Sequence, residues 1–368
     1  MTGRTFRVGT RIVTGVGSVA TLADEIAAFG PERVVVVADR GLSTTGTLDL
    51  VFDAAEQLRA APTILVDPDP SLDDAERLAA EALEYNAGAV VAVGGGSALC
   101  AAKAVAIRLT NPGPLLCYEG TGRVPRLPAP TIAIPTTAGS GSEVSNALVL
   151  HQRGRTREIV IRGPGCEPTV ALLDGNLVVG LPDKPLLYAA LDALSHAMEA
   201  LWTRGRTFFT DSLAEFAVET ILEDLPRALK KRDPEVLQRL LEASCAANLA
   251  CGNTGLGLIH ALDCAPSVHL QHGYQNGALL LHVGMFNRAV MNARHLPYLD
   301  AVEALFTEIG FAGRFQPGDL DRDHGAAMVA ASEGHPFRAN NALAATDEDL
   351  IGILTAAGVP SDLGIRRS

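Results

Sequence analysis

The chain has no run of about 18 apolar residues, the length a helix needs to cross a bilayer, and its opening MTGRTFRVGT lacks the apolar segment of a secretory signal. Neither membrane insertion nor secretion is expected. Positive charge is in deficit: 30 Lys and Arg face 42 Asp and Glu, a formal net charge of -12 with the acids spread along the chain. Such a surface repels nucleic acid and anionic membranes, so neither is an expected partner. Cysteine is sparse. Six residues (Cys100, Cys117, Cys166, Cys245, Cys251 and Cys264) form no CxxC pair, which fits reduced thiols in a cytoplasmic protein and excludes a disulfide scaffold. Internal repeats and low-complexity tracts are also absent. What remains is a globular composition, 48% apolar and 20% charged over 368 residues, long enough for two domains.

The first half alternates between two patterns. RVVVVAD (Arg33 to Asp39) is a β-branched run suited to a strand buried on both faces. TILVD (Thr63 to Asp67), AVVAVGGGS (Ala89 to Ser97) and PTIAIPTT (Pro130 to Thr137) are further strands, and the character changes after VALLD (Val170 to Asp174). Helical segments over Ser71 to Asn86 and Ala98 to Leu109 separate some of them, as βαβ units with a parallel sheet require. ALVLHQRGRTREIVI (Ala147 to Ile161) predicts a hairpin around Gly154. From Pro182 the apolar spacing becomes 3 and 4. The expectation is an α/β domain over 1–177 with a Rossmann-like parallel sheet, followed by an all-helical domain over 178–368.

GGGSALCAAK (Gly94 to Lys103) follows a strand and opens a helix. Glycines there admit a phosphate close to the backbone, at a helix N-terminus with free N–H groups; a tight turn needing small residues only for packing is the alternative. A second small-residue loop, PTTAGSGSEVS (Pro135 to Ser145), follows a neighbouring strand, and strand C-terminal ends are where open α/β sheets bind ligands. Asp39 ends the first strong strand, where a carboxylate accepts from ribose hydroxyls and favours NAD. Arg40 beside it would instead admit NADP, and a solvated loop aspartate is the bland alternative.

LDALSHAMEA places Asp192 and His196 four residues apart, on one face of an apolar helix. A hydrogen-bonded core pair and half of a metal site both fit that spacing. Further on, His260, His269, His272 and His282 bring four of the nine histidines into 23 residues, with His272 before a glycine in an expected loop. One carboxylate and three imidazoles would suit Fe²⁺ or Zn²⁺.

GGGS…AK (94 to 103), PTTAGSGSEV (135 to 144), DALSHAMEA (192 to 200) and GLGLIHA…HG (255 to 273) together resemble the group III iron-containing alcohol dehydrogenases, relatives of glycerol dehydrogenase and dehydroquinate synthase. The resemblance covers essentially the whole chain and implies a dehydroquinate synthase-like fold. It also implies an NAD(P)-linked alcohol dehydrogenase or aldehyde reductase, usually a homodimer, acting on a small alcohol or aldehyde. Its metal ligands fall on Asp192, His196, His260 and His272. Its pyrophosphate site falls on Gly95, Gly96 and Ser97 beside Gly94, with Thr136, Thr137 and Ser140 lining the adenine and ribose side.

Some positions depart from the family. Cys100 stands where an aspartate is usual, and Cys264 where a proton-relaying histidine is usual. A thiol, ordinarily titrating near pH 8.5, is the poorer relay at neutral pH, so His269 is a second relay candidate and a rival to His272 as ligand. The lysine usual near the substrate aligns with Glu158, or with Arg157 after a one-residue slip. The expectation is an atypical substrate pocket. Alternatives are a reductase of an anionic carbonyl of the maleylacetate or phosphonoacetaldehyde type, using Arg162 or Arg157, a dehydroquinate-synthase-like lyase or cyclase, and a non-catalytic protein on the same fold.

Overall fold

The computed structural model describes residues 4–30, 33–152, 158–265 and 267–360. By its internal contacts the chain forms two compact units. One contains Arg7–Leu186 and Lys231–Cys245; the other contains Leu187–Lys230, the chain from Ala246 on, and the N-terminal residues through Phe6. The composition change near residue 178 precedes the division at Leu186, because the turn at Gly175 is held by the segment from 231 to 245. A Cβ on Gly175 would lie 2.1 Å from the Pro234 carbonyl oxygen, and its N–H donates to Gln238 Oε1 at 2.8 Å.

The first unit runs β1 (Arg11–Thr14), α1 (Leu22–Ala27), β2 (Val34–Asp39), α2 (Thr47–Ala54), β3 (Thr63–Val66), α3 (Leu72–Glu84), β4 (Ala89–Gly94) and α4 (Gly96–Thr110), then β5 (Gly120–Thr121), β6 (Thr131–Pro135), β7 (Ala147–Leu150), β8 (Ile159–Arg162) and β9 (Val170–Leu173). Six strands form a sheet in the order β1-β9-β6-β4-β2-β3, every pair parallel. The unbroken valine run of β2 follows from burial on both sides. Val34, Val36 and Ala38 enter one apolar cluster with Leu22, Val51 and Leu172, while Val35 and Val37 enter another with Leu78 and Leu99. α3 starts at a capping box, Ser71 exchanging hydrogen bonds with Asp74. The expected hairpin is β7 against β8, antiparallel; its tip, Gly154 included, and Arg157 lie outside the described residues. β1 is an edge strand that hydropathy does not mark: RIVT is at most half-buried and pairs with β9.

The rest of the chain is helical: α5 (Asp183–Leu201), α6 (Phe208–Lys230), α7 (Pro234–Thr254), α8 (Leu258–Asp263), α9 (His272–Asn287), α10 (Pro297–Ile309), α11 (Arg322–Ser332), α12 (Pro336–Asn340) and α13 (Asp347–Ala356). Of these, α5 belongs to the second unit from Leu187 and α7 from Ala246, its part through Cys245 being in the first. One expectation is corrected here. His272 is not in a loop but is the first residue of α9; the glycine after it is a packing requirement, not a turn.

Candidate metal centre and dinucleotide loops

α5 carries Asp192, His196 and Glu199 on one face, all buried. α8 adds His260, and α9 adds His272. The Nε2 atoms of His196, His260 and His272 lie 3.6, 3.7 and 3.4 Å from the same oxygen, Asp192 Oδ1. Donor atoms of Asp192, His260 and His272 fall within 4.8 Å of one another, and the His196 ring stacks on that of His260 with centroids 4.7 Å apart. These separations are longer than an N–H···O hydrogen bond of about 2.7–3.2 Å. They approach the edge of a tetrahedron, about 3.3–3.4 Å, whose centre is about 2.0–2.1 Å from each corner, as tetrahedral Zn–N and Zn–O bonds are. Asp192, His260 and His272 thus form a donor group suited to a divalent ion such as Fe²⁺ or Zn²⁺, with His196 reaching the same oxygen from outside that group of three.

Buried carboxylates aim two of the rings. Glu199 Oε2 lies 2.8 Å from His260 Nδ1 and accepts the Gly257 N–H at 2.9 Å, while its Oε1 accepts the Ile259 N–H at 2.7 Å. A Cβ on Gly257 would come within 3.0 Å of Glu199 Oε1, so a glycine there lets the carboxylate sit at the start of α8. Asp263, at the end of α8, pairs with His272 Nδ1. With each Nδ1 turned outward to a carboxylate, Nε2 is the nitrogen that faces Asp192. Asn276, one turn after His272, brings its amide nitrogen 2.9 Å from Asp192 Oδ1 and 3.1 and 3.2 Å from the Nε2 atoms of His272 and His260. The whole arrangement needs Gly273, because a Cβ there would lie 1.9 Å from the Tyr188 carbonyl oxygen on α5.

The electrostatics of the metal-free cluster are uneven. Burial, helped by the neighbouring imidazoles, pushes His196 down to about 4 against the pull of Asp192. Burial also opposes charge on His260, but Glu199 and Asp192 outweigh it and raise the group to about 9. Desolvation of His272 is outweighed by Asp263 and Asp192, again upward. Asp192, though buried, is held well below the usual carboxylate range by His196 and His272.

The two relay candidates are placed differently. Cys264 caps the C-terminus of α8, its thiol donating to the His260 carbonyl at 2.9 Å. His269 is exposed before α9, without a hydrogen bond or ion pair among the described residues; it is His272 that reaches Asp192. Glu199, Asp263 and Asn276 are participants that the sequence does not single out. Spacing gives no signal for the two acids, because each serves a ring on another helix: Glu199 on α5 meets His260 on α8, and Asp263 on α8 meets His272 on α9.

In the other unit, Asp39, Gly94 and Pro135 end the adjacent parallel strands β2, β4 and β6. The chain steps from β2 outward to β3, then back across to β4, so the ends of β2 and β4 flank the reversal where such sheets bind ligands. Gly94 has φ +149°, and a Cβ on it would lie 2.9 Å from Asp39 Cβ. A Cβ on Gly95 would lie 3.3 Å from Thr137, and one on Gly96 3.0 Å from Ser140. Packing and φ therefore require glycine at 94, whereas at 95 and 96 a side chain would need its neighbour to give by a few tenths of an ångström. The same packing leaves the start of α4 without a side-chain cap or an acidic residue in its first turn, its first N–H groups lacking intrahelical acceptors. Ser97 Oγ accepts the Asp69 N–H at 3.1 Å, and Asp39 accepts the Gly41 N–H at 2.8 Å. Thr136 is buried, its N–H donating to the Gly94 carbonyl at 3.1 Å, whereas Thr137 and Ser140 are half-buried. Cys100 lies 3.6 Å from Ser142 Oγ in the second loop. Glu158 stands 3.8 Å from His151 at the base of the hairpin.

Comparison with known proteins agrees with this architecture. The model of the iron-containing alcohol dehydrogenase family matches residues 9–175, and that of the C-terminal region of Fe-containing alcohol dehydrogenases matches 186–297. "Probable alcohol dehydrogenase EutG" of Escherichia coli K12 is 33% identical over 96% of this chain and 94% of its own length. Among solved structures, the iron-containing alcohol dehydrogenase of Thermococcus thioreducens superposes with a TM-score of 0.85 at 27% identity, covering 96% of this chain and 99% of that one. Sulfoacetaldehyde reductase of Bifidobacterium kashiwanohense in complex with NAD⁺ superposes with a TM-score of 0.87 at 26% identity, covering 99% and 100%.

Proposed function

Since the chain belongs to the iron-containing alcohol dehydrogenase family, we propose that Asp192, His196, His260 and His272 hold its divalent metal, Fe²⁺ or Zn²⁺. The protein is a metal-dependent, NAD-linked oxidoreductase that acts on CH–OH groups and interconverts an alcohol and its carbonyl. The observation that carries the ligand assignment is the convergence of three Nε2 atoms on one carboxylate oxygen at 3.4–3.7 Å. A divalent ion in this set supplies Lewis acidity to the substrate oxygen.

The residues of the chain do the rest. Glu199 fixes the tautomer and direction of His260, so that its neutral Nε2 is presented. We assign proton exchange with solvent to His269, which is exposed, ahead of Cys264, whose thiol is engaged by the His260 carbonyl. Residues 1–177 form the dinucleotide-binding part and 178–368 the metal and substrate part. Gly94, Gly95, Gly96 and Ser97, at the start of α4, take the cofactor pyrophosphate, with Thr136, Thr137 and Ser140 beside them. Asp39 accepts from the ribose hydroxyls and repels a 2′-phosphate. Arg40 is paired with Asp67 at 2.7 Å and so is not free to offset that repulsion, which favours NAD over NADP. The substrate is a short alcohol or aldehyde in an atypical pocket, and the working form is a cytoplasmic homodimer.

Oxidation of NADH by a panel of short aldehydes, with metal analysis of the same preparation, tests this. Stoichiometric metal with no NADH oxidation by any carbonyl would refute it. The likeness to sulfoacetaldehyde reductase across nearly the whole chain supports a second reading, an anionic carbonyl met by Arg162. The panel therefore includes an anionic aldehyde; a kcat/KM higher for it than for its uncharged counterpart selects that reading.

A further inference from the structure

Asp263 is buried, its side chain 3% exposed, and among the described residues its carboxylate has one partner, Nδ1 of His272. Its other oxygen is buried without a hydrogen bond. Desolvating a carboxylate for one partner is costly, and its place does not offset that cost: Asp263 is the last residue of α8, where a helix disfavours negative charge. The ring it meets is the one that most needs holding. His260 is enclosed, its side chain 4% exposed and gripped by Glu199, whereas the His272 side chain is 54% exposed on the first, uncapped residue of α9. An imidazole in that position turns freely about its side-chain bonds unless its second nitrogen is tied.

We propose that Asp263 is the positioning residue of His272: by accepting from Nδ1–H it directs Nε2 at Asp192 and completes a second carboxylate–histidine pair beside Glu199–His260. α8 then delivers both a ligand, His260, and the carboxylate that aims another, with one helical turn setting the two three residues apart. Asp263 touches neither substrate nor cofactor in this role and acts only through the imidazole. The inference rests on the assignment of the four side chains as a metal centre.

The test is metal affinity of the full-length protein, from chelator competition with Zn²⁺, with melting of the metal-free form recorded in parallel. Asp263→Ala is expected to weaken binding by about 10–100-fold, the usual effect of removing an outer carboxylate. Asp263→Asn, which still offers an oxygen to Nδ1–H, is expected to lose less. In a His272→Ala background Asp263→Ala should cost no further affinity, because its route to the ion is already gone. A purely structural role would lower the melting temperature and weaken binding equally in both backgrounds. Wild-type affinity in both Asp263 variants, or an undiminished loss without His272, overturns the proposal while leaving the metal centre intact. Failure of the wild-type protein to bind Zn²⁺ overturns both.

Discussion

Replacing Gly273 by alanine adds one methyl group at a tight point beside the proposed metal centre. That carbon would lie 1.9 Å from the Tyr188 carbonyl oxygen and 2.6 Å from its carbon, where ordinary contact begins at 3.4 Å. The two backbones must part by about 1.5 Å, the difference between those separations. Neither side can yield without consequence, because Tyr188 precedes Asp192 by one turn of α5 and Gly273 follows His272 directly. Coordination tolerates displacements of only about 0.2 Å, so the separation between Asp192 and His272 leaves the useful range whichever helix moves. The expected result is a loss of metal affinity of at least about 100-fold, or about 2.7 kcal/mol. Overpacking should cost about 1–3 kcal/mol of stability. Gly352→Ala is the control: it lies in α13 with nothing within 4 Å, so affinity should hold and stability stay level or rise by about 0.5–1 kcal/mol. Chelator competition and thermal melting read both quantities. A Gly273→Ala protein that binds metal as tightly as wild type would refute the close-approach reasoning.

Three further outcomes follow from the same geometry. Glu199→Gln leaves one oxygen for three donors, the N–H groups of Gly257 and Ile259 and Nδ1 of His260; metal binding should weaken by about 10–100-fold, and an unchanged dissociation constant would contradict this. His260 titrates near 9 in the metal-free protein and His272 is raised as well, whereas His196 sits near 4. Since ligation needs neutral rings, binding at neutral pH should release about one to two protons, with apparent affinity falling as pH is lowered from 9. Calorimetry in buffers of different ionisation enthalpy counts those protons, and zero release would be the contrary result. Gly94→Ala forces a side chain into φ +149° with Asp39 Cβ 2.9 Å away. It should cost about 1–3 kcal/mol and weaken NADH binding, seen by fluorescence titration, without changing metal affinity.

The sheet is legible in the sequence wherever a strand is buried on both faces, because β2, β4, β6 and β9 then become unbroken apolar runs. β1 is not legible. RIVT has no apolar run of its own and exists as a strand only because β9, from far along the chain, pairs with it. The metal-ligand candidates stand out for a different reason: an i, i+4 Asp–His pair on an apolar helix, and a cluster of histidines, are rare patterns. Spacing alone leaves Asp192–His196 open between a core pair and a ligand pair; that His260 and His272 reach the same Asp192 oxygen is a tertiary fact. Glu199 and Asp263 escape notice because an acid in a helix reads the same whether it meets solvent or an imidazole. Gly273 resembles a turn signal until Tyr188 is in place beside it. The glycine loop is ambiguous in the opposite way, since packing against Thr137 and Ser140 already favours small residues whether or not a phosphate binds.

Anomalous diffraction at the metal edge, from crystals loaded with Zn²⁺ or Fe²⁺, tests the centre most directly. One peak is predicted, about 2.0–2.2 Å from an Asp192 oxygen and from Nε2 of His196, His260 and His272. A peak elsewhere in the chain, or one ligated by His269 in place of His272, would contradict the assignment.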